Sequence, residues 1–200
     1  MEFENYVIKD AGNFDKLKLL YPYIKNKKCC IAGGVFKDIF QNQEFKDIDI
    51  FFESEFDFMI EKGQHSSNDL LTKVYENENA IGLYDNSKGI SIDLVQKKFG
   101  SPKEILDSFD FTVSKFCLYQ QNNNFNVIYH KHFFEDLTTK TLRFDCGTLN
   151  PIAQLSRAIK YSRYGFKLSK IDFLNLLREV NNLDNDVFND LSMDNFYSYY

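Results

Sequence analysis

The run Cys29-Cys30-Ile31-Ala32-Gly33-Gly34, followed after a short gap by Asp47-Ile48-Asp49-Ile50-Phe51-Phe52, constrains this chain's fold more than any other feature. The apolar tetrapeptide 29–32 reads as a short buried strand, cut off by a glycine pair that forces a turn. Val35 to Gln41 then reads as a brief helix. In the next segment Ile48, Ile50 and Phe52 alternate with Asp47, Asp49 and Phe51, the period-2 pattern of a strand with two dissimilar faces.

The rest of the chain extends this pattern. Residues 13–25 read as a helix with Phe14, Leu17 and Leu20 on one side. Polar sequence, loop-like or helical, runs on to about Glu78. Strands Ala80 to Tyr84 and Ile90 to Val95 flank a turn at Asn86-Ser87-Lys88-Gly89. In the second of them Ile90, Ile92 and Leu94 share one face, and Ser91, Asp93 and Val95 the other. A further hairpin is expected from Thr112–Tyr119 to Phe125–Tyr129, joined through 120–124. The fold class is therefore α+β, a mixed sheet with helices, over residues 1–148. From 149 to 200 the period changes to a helical appendage and tail. Asn150 caps a helix that begins with Pro151, carries Ile152, Leu155, Ile159 and Phe166 near one face, and ends around Gly165. Ser169 with Asp172 resembles a capping box that opens a second helix through Val180.

Composition excludes several classes. A chain of 200 residues buries roughly 70% of its extended surface and needs no disulfide or metal staple. Mean hydropathy is −0.40, and no apolar run approaches the roughly 18 residues of a membrane span. The acidic start Met-Glu-Phe-Glu-Asn is unlike a secretion signal, so a cytoplasmic protein is expected. Net charge is −5 and the pI about 5.3, so nucleic acid could be held only by a local basic patch. Cys29, Cys30, Cys117 and Cys146 lack ligand spacing and read as buried reduced thiols. No ligand spacing surrounds His130 and His132 either. The 21 Phe are mostly core, although Phe51, beside the acidic pair, is placed to stack a base.

Chemistry concentrates at Asp47-x-Asp49. Two carboxylates at i and i+2 leave one strand face roughly 6.5–7 Å apart, a spacing suited to a hard dication such as Mg²⁺ or Mn²⁺. Asp93 falls on the corresponding face of another strand. Three carboxylates on one sheet face can hold divalent ions that activate a hydroxyl and stabilise departing pyrophosphate. Gly33-Gly34, at a strand-to-helix turn, offers bare backbone N–H groups to phosphates. The alternative for each is plain structure: a solvated strand face and a tight turn.

The blocks Gly33-Gly34-Val35-Phe36-Lys37-Asp38 and Lys46-Asp47-Ile48-Asp49-Ile50 together resemble the head-domain signature of the polymerase β-type nucleotidyltransferases. The nearest likeness is to bacterial poly(A) polymerases and CCA-adding enzymes, whose pattern is Gly-Gly-x-Val-Arg-Asp, a gap, then Asp-x-Asp. Asp110-Phe111-Thr112-Val113, Glu135-Asp136-Leu137 with Leu142-Arg143-Phe144, and Arg157-Ala158-Ile159-Lys160-Tyr161 closing on Gly165-Phe166 resemble later blocks of that group in the same order. The resemblance implies a mixed-sheet head followed by a small helical neck-like segment. It implies that Asp47 and Asp49 bind metal, that Gly33 and Gly34 hold a triphosphate, and that Lys37 and Asp38 belong to the same nucleotide-binding motif. Asp110 would line the nucleotide wall, and Arg157 and Lys160 would face substrate phosphates. Asp93 as third carboxylate follows from strand alternation and the superfamily's general chemistry.

Departures narrow the reading. Lys37 replaces an Arg and loses its bidentate fork. Ser108-Phe109 stand where the group has basic residues. Asn150, Pro151 and Gln154 stand where it reads the incoming base, so CCA addition is not expected. Two functional readings stand beside a plain structural one, an α+β domain whose acidic face never sees metal. One is a minimal Mg²⁺-dependent nucleotidyltransferase moving NMP from an NTP to a hydroxyl of RNA or another acceptor. The other is an inactive module of the same fold that binds nucleotide, RNA or a protein. Arg157, Lys160, Arg163 and Lys167 form a basic helix side that either tracks a nucleic-acid backbone or is the wet face of the helix.

Overall fold

A computed structural model describes residues 2–8, 14–65, 70–144 and 151–182. The chain divides into two compact units, Met1–Phe109 with Ser114–Phe133, and Asp110–Val113 with Phe134–Tyr200. In chain order the elements begin with β1 (Phe3–Val7), a 3₁₀ turn Asp15–Leu20 and α1 (Tyr21–Ile24). Then come β2 (Cys29–Ala32), α2 (Val35–Phe40), β3 (Asp47–Phe52), α3 (Glu55–His65) and β4 (Leu71–Glu76). β5 (Ala80–Asp85), β6 (Ile90–Phe99), α4 (Pro102–Asp107), a 3₁₀ turn Thr112–Ser114, β7 (Phe116–Gln121) and β8 (Asn124–His130) follow. The chain continues through α5 (Phe133–Thr139), β9 (Thr141–Leu142), α6 (Pro151–Arg163), β10 (Lys167–Leu168) and α7 (Lys170–Asn181).

Strands β1-β8-β7-β2-β3-β6-β5-β4 form one sheet in that order among the described residues. All its neighbours are antiparallel except β3 and β6, which run parallel, so the sheet is mixed as the sequence implied. One face carries Ile31, Ile48, Ile50, Ile92, Leu94, Leu118 and Val127, all buried, beneath α2 and α3. The Phe excess is spent largely on this side: Phe116 stacks on Tyr129 at 5.3 Å and packs against Phe36 at 4.5 Å and Phe133 at 5.0 Å. Burying each such ring contributes about 1.5–3 kcal/mol. On the other face Ile105 and Leu106 of α4 cover Cys30, Ala32, Phe51, Val95, Cys117 and Ile128.

Several elements differ from the sequence reading. The first helix is a 3₁₀ turn that becomes α only at Tyr21, because Pro22 has no N–H to continue a helical ladder across it. The polar stretch before Glu78 contains both α3 and the edge strand β4. Thr112–Ser114 is a 3₁₀ turn and β7 starts at Phe116. The hairpin then closes through Asn122 and Asn123, both at positive φ (50° and 62°), the arrangement that matches strand twist in a two-residue turn. α4 is an element beyond those expected, and it carries a full capping box, Ser101 with Glu104, and a first-turn proline. β1 and α5 are further elements beyond them. Cys29, Cys30 and Cys117 are free and buried as expected. Asn150, Cys146 and the tail from 183 lie outside the described residues.

In the second unit β9 and β10 pair in parallel. Phe111 packs on Phe144 at 4.8 Å and Tyr161 at 5.7 Å. α6 buries Ile152, Ala153, Gln154, Ser156 and Ala158 and ends at Arg163, whereas Ile159, expected on its buried face, is 42% exposed. The Ser169 hydroxyl accepts from the Asp172 N–H at 3.0 Å and so caps α7 as expected. No helix among the described residues is long and apolar enough to cross a membrane.

Candidate active site

The acidic face is built by strand register. Ala32 on β2 pairs with Asp49 on β3, Asp49 with Asp93 on β6, Asp93 with Gly82 on β5, and Gly82 with Tyr75 on β4. Directly paired residues project from the same side of a sheet, so this is one row across five strands. Asp47 lies two residues before Asp49, on the same face, and pairs with Ser91. The row continues the face that α4 covers at its other end, so Asp49 and Asp93 are half-buried and Asp47 is exposed.

This placement has electrostatic consequences. Burial raises the Asp93 carboxyl pKa above the ordinary carboxylate value and the Asp47 charge pushes in the same direction, while a hydrogen bond from Tyr75 opposes them. Tyr75 is itself made a weaker acid, first by burial, then by its bond to Asp93 and by the charges of Asp93, Asp49 and Asp47. A like-charged cluster on a partly dehydrated face is relieved by a cation. Among the described residues no three His, Cys, Asp or Glu side chains stand close enough to grip a metal as they are. The donors are nonetheless hard carboxylate oxygens on one face, the chemistry Mg²⁺ prefers.

Gly33 belongs to the same place. It adopts φ +101°, and a Cβ there would lie 3.3 Å from Asp49 Oδ2 and 3.5 Å from Phe109 Cε1. Position 33 therefore demands glycine twice over, by conformation and by the approach of the carboxylate. Gly34, in contrast, is right-handed and a Cβ would meet nothing within 4 Å, so the space beside the turn is open.

The remaining site residues are placed differently. Lys37, expected in the nucleotide-binding motif, has a side chain only 6% exposed and is ion-paired with Asp38. Asp110 and Arg157 meet in the second unit, where the guanidinium Nε donates to Asp110 Oδ2 at 2.6 Å. Lys160 is exposed on α6. Asp136 and Arg143 form a bidentate pair, Nη2 to Oδ1 at 2.9 Å and Nε to Oδ2 at 3.0 Å, with the Thr112 hydroxyl on the same buried carboxylate at 2.6 Å. These motif residues thus tie the second unit internally. Phe51 is buried edge-on against Phe109 at 5.8 Å and presents no face for a base.

Comparison with known proteins places this geometry. The sequence profile described as Gad2, Gabija anti-defense 2 family protein, matches residues 2–140. The chain belongs to the Gabija anti-defense 2 family. A curated relative, Gabija anti-defense 2 of Bacillus phage SPbetaL7, is 25% identical over 187 residues, covering 89% of this chain and 45% of the relative. Among solved structures, a CCA-adding enzyme in complex with ATP superposes with a TM-score of 0.65 at 18% identity, over 90% of this chain and 47% of that one. The Thermotoga maritima CCA-adding enzyme complexed with tRNA gives a TM-score of 0.59 at 17% identity, over 90% of this chain and 46% of that one. The chain thus spans about half the length of the proteins it matches. This member of the Gabija anti-defense 2 family has the nucleotidyltransferase head fold of those enzymes.

Two residues of the row escaped the sequence reading, Tyr75 and Gly82. A Cβ on Gly82 would fall 2.1 Å from Tyr75 Cε1, so the ring lies directly over the glycine. A glycine inside the strand 80–84 and the β-prone run Leu71-Thr72-Lys73-Val74-Tyr75 were the available signals.

Proposed function

We propose that the chain is a Mg²⁺-dependent nucleotidyltransferase that acts against Gabija defence inside the infected bacterial cell, moving NMP from an NTP to a hydroxyl and releasing pyrophosphate. The single observation that carries this reading is the register pairing of Asp49 with Asp93, with Asp47 beside them and Gly33 pressed against the Asp49 carboxylate. Asp47, Asp49 and Asp93 would hold the metal, which when bound polarises the α-phosphate and the attacking hydroxyl. The backbone at Gly33 and Gly34 would receive the triphosphate in the open space beside the turn. Asp93, which receives a hydrogen bond from Tyr75, would accept the acceptor's proton. Asp110, Arg157 and Lys160 would contribute to nucleotide binding, and RNA or protein is the acceptor class. The test is incubation with α-labelled NTP, Mg²⁺ or Mn²⁺ and candidate RNAs, comparing wild type with Asp47→Ala plus Asp49→Ala. Transfer and pyrophosphate release by the wild type alone support the reading, and equal transfer by both proteins discards it.

The second reading, a binding module without catalysis, is favoured by one specific observation. Lys37 and Arg157, two cations of the expected nucleotide-binding set, are engaged by Asp38 and Asp110. Calorimetry showing Mg²⁺-dependent NTP binding, with no product after long incubation, would select it.

A further inference from the structure

We propose that Tyr75 is an internal acceptor, a site at which the chain nucleotidylates itself; this rests on the transferase reading above. A nucleotidyltransferase needs a hydroxyl beside its carboxylates, and the structure supplies one from its own edge strand. Tyr75 starts two strand spacings from Asp93, roughly 10 Å across the sheet. Its side chain crosses that gap because position 82 is bare: Cε1, Cδ1 and Cζ of the ring would stand 2.1, 2.3 and 2.7 Å from any Cβ there. The hydroxyl thereby reaches Asp93 and donates to it, under the charges of Asp49 and Asp47. Tyr75 as a residue remains 40% exposed on its edge strand.

In the step, Tyr75 Oη forms a bond to the α-phosphorus and the bond from that phosphorus to the bridging oxygen of the β-phosphate breaks. Pyrophosphate leaves, and the phenolic proton passes to the Asp93 carboxylate. Tyr84, one row along the same face, provides the control. Its hydroxyl is turned toward the loop at Gly89, 3.6 Å from where a Cβ there would be.

The experiment incubates the full chain with Mg²⁺ and each ribonucleoside triphosphate, with and without RNA, followed by intact mass, peptide sequencing and pyrophosphate assay. The expected result is one nucleotidyl group per chain, on Tyr75. It is lost in Tyr75→Phe, retained in Tyr84→Phe, and reduced about 10²-fold in Gly82→Ala, whose methyl displaces the ring. Circular dichroism verifies that each variant is folded. A chain that releases pyrophosphate with RNA yet carries nothing on Tyr75 overturns the proposal and leaves the transferase reading standing. So does a label on Ser91, or equal labelling of Tyr75→Phe. No label and no pyrophosphate under any condition overturns both.

Discussion

The two units treat their carboxylates in opposite ways. In the sheet unit Asp47, Asp49 and Asp93 stand against one another, and the Asp47 charge adds to burial in raising the Asp93 pKa. In the second unit Asp110 meets Arg157, and the fully buried Asp136 meets Arg143 and Thr112. An acid opposite an arginine is a tie within the fold. Acids gathered opposite acids cost stability, and the arrangement makes physical sense when a cation or a substrate completes it. Asp47, Asp49, Asp110, Asp136, Arg143 and Arg157 all belong to motif blocks that look equivalent in sequence, and only their partners in the fold tell them apart.

That contrast can be broken most severely at the acidic face. Replacing Asp47 and Asp49 together by Asn removes several kcal/mol of transition-state stabilisation, so label transfer should fall on the order of 10³-fold. The melting temperature should stay level or rise, since repulsion is relieved, and a collapse of the fold in calorimetry would contradict the division. The mirror experiment is Arg143→Ala, which leaves the buried Asp136 without its cation. Chemical denaturation should show a loss of about 3–5 kcal/mol. Smaller still, Mg²⁺ at a hundred times its dissociation constant should stabilise the wild type by about 2.7 kcal/mol and the Asp47→Asn, Asp49→Asn double variant far less. A thermal shift equal in both would place the ion elsewhere.

The smallest effect sharpens the comparison with a third kind of carboxylate. Burial acts to raise the Asp85 pKa, but the Ser87 hydroxyl and the Ser87 and Lys88 N–H groups outweigh it, and the net shift is downward. A lowered folded-state pKa gives stability that is present above the unfolded value near 3.9 and lost as pH falls through the folded one. The stability gap between wild type and Asp85→Ala in urea should therefore narrow below about pH 4. A gap independent of pH would remove the charge from the account.

Local pattern was a good guide wherever one strand or one turn carried the information. The bounds of β2, the alternation of β3, the face shared by Ser91, Asp93 and Val95, the buried thiols and the Ser169 cap all follow from neighbours within a few residues. β1, β4, α4 and α5 did not emerge, and for β1 and β4 the reason is their place at the sheet edges. Their residues are largely exposed and show weak alternation, so their pairing is imposed by β8 and β5. The acidic pair, the glycine turn and the motif order could thus be read along the chain, because each depends on local spacing. That Asp49 faces Asp93, that Tyr75 reaches across Gly82, and that Lys37, Asp110 and Arg157 are engaged by partners could not. Those facts depend on which strands lie side by side and in what register, and registers join residues far apart in the chain that carry no mark of one another.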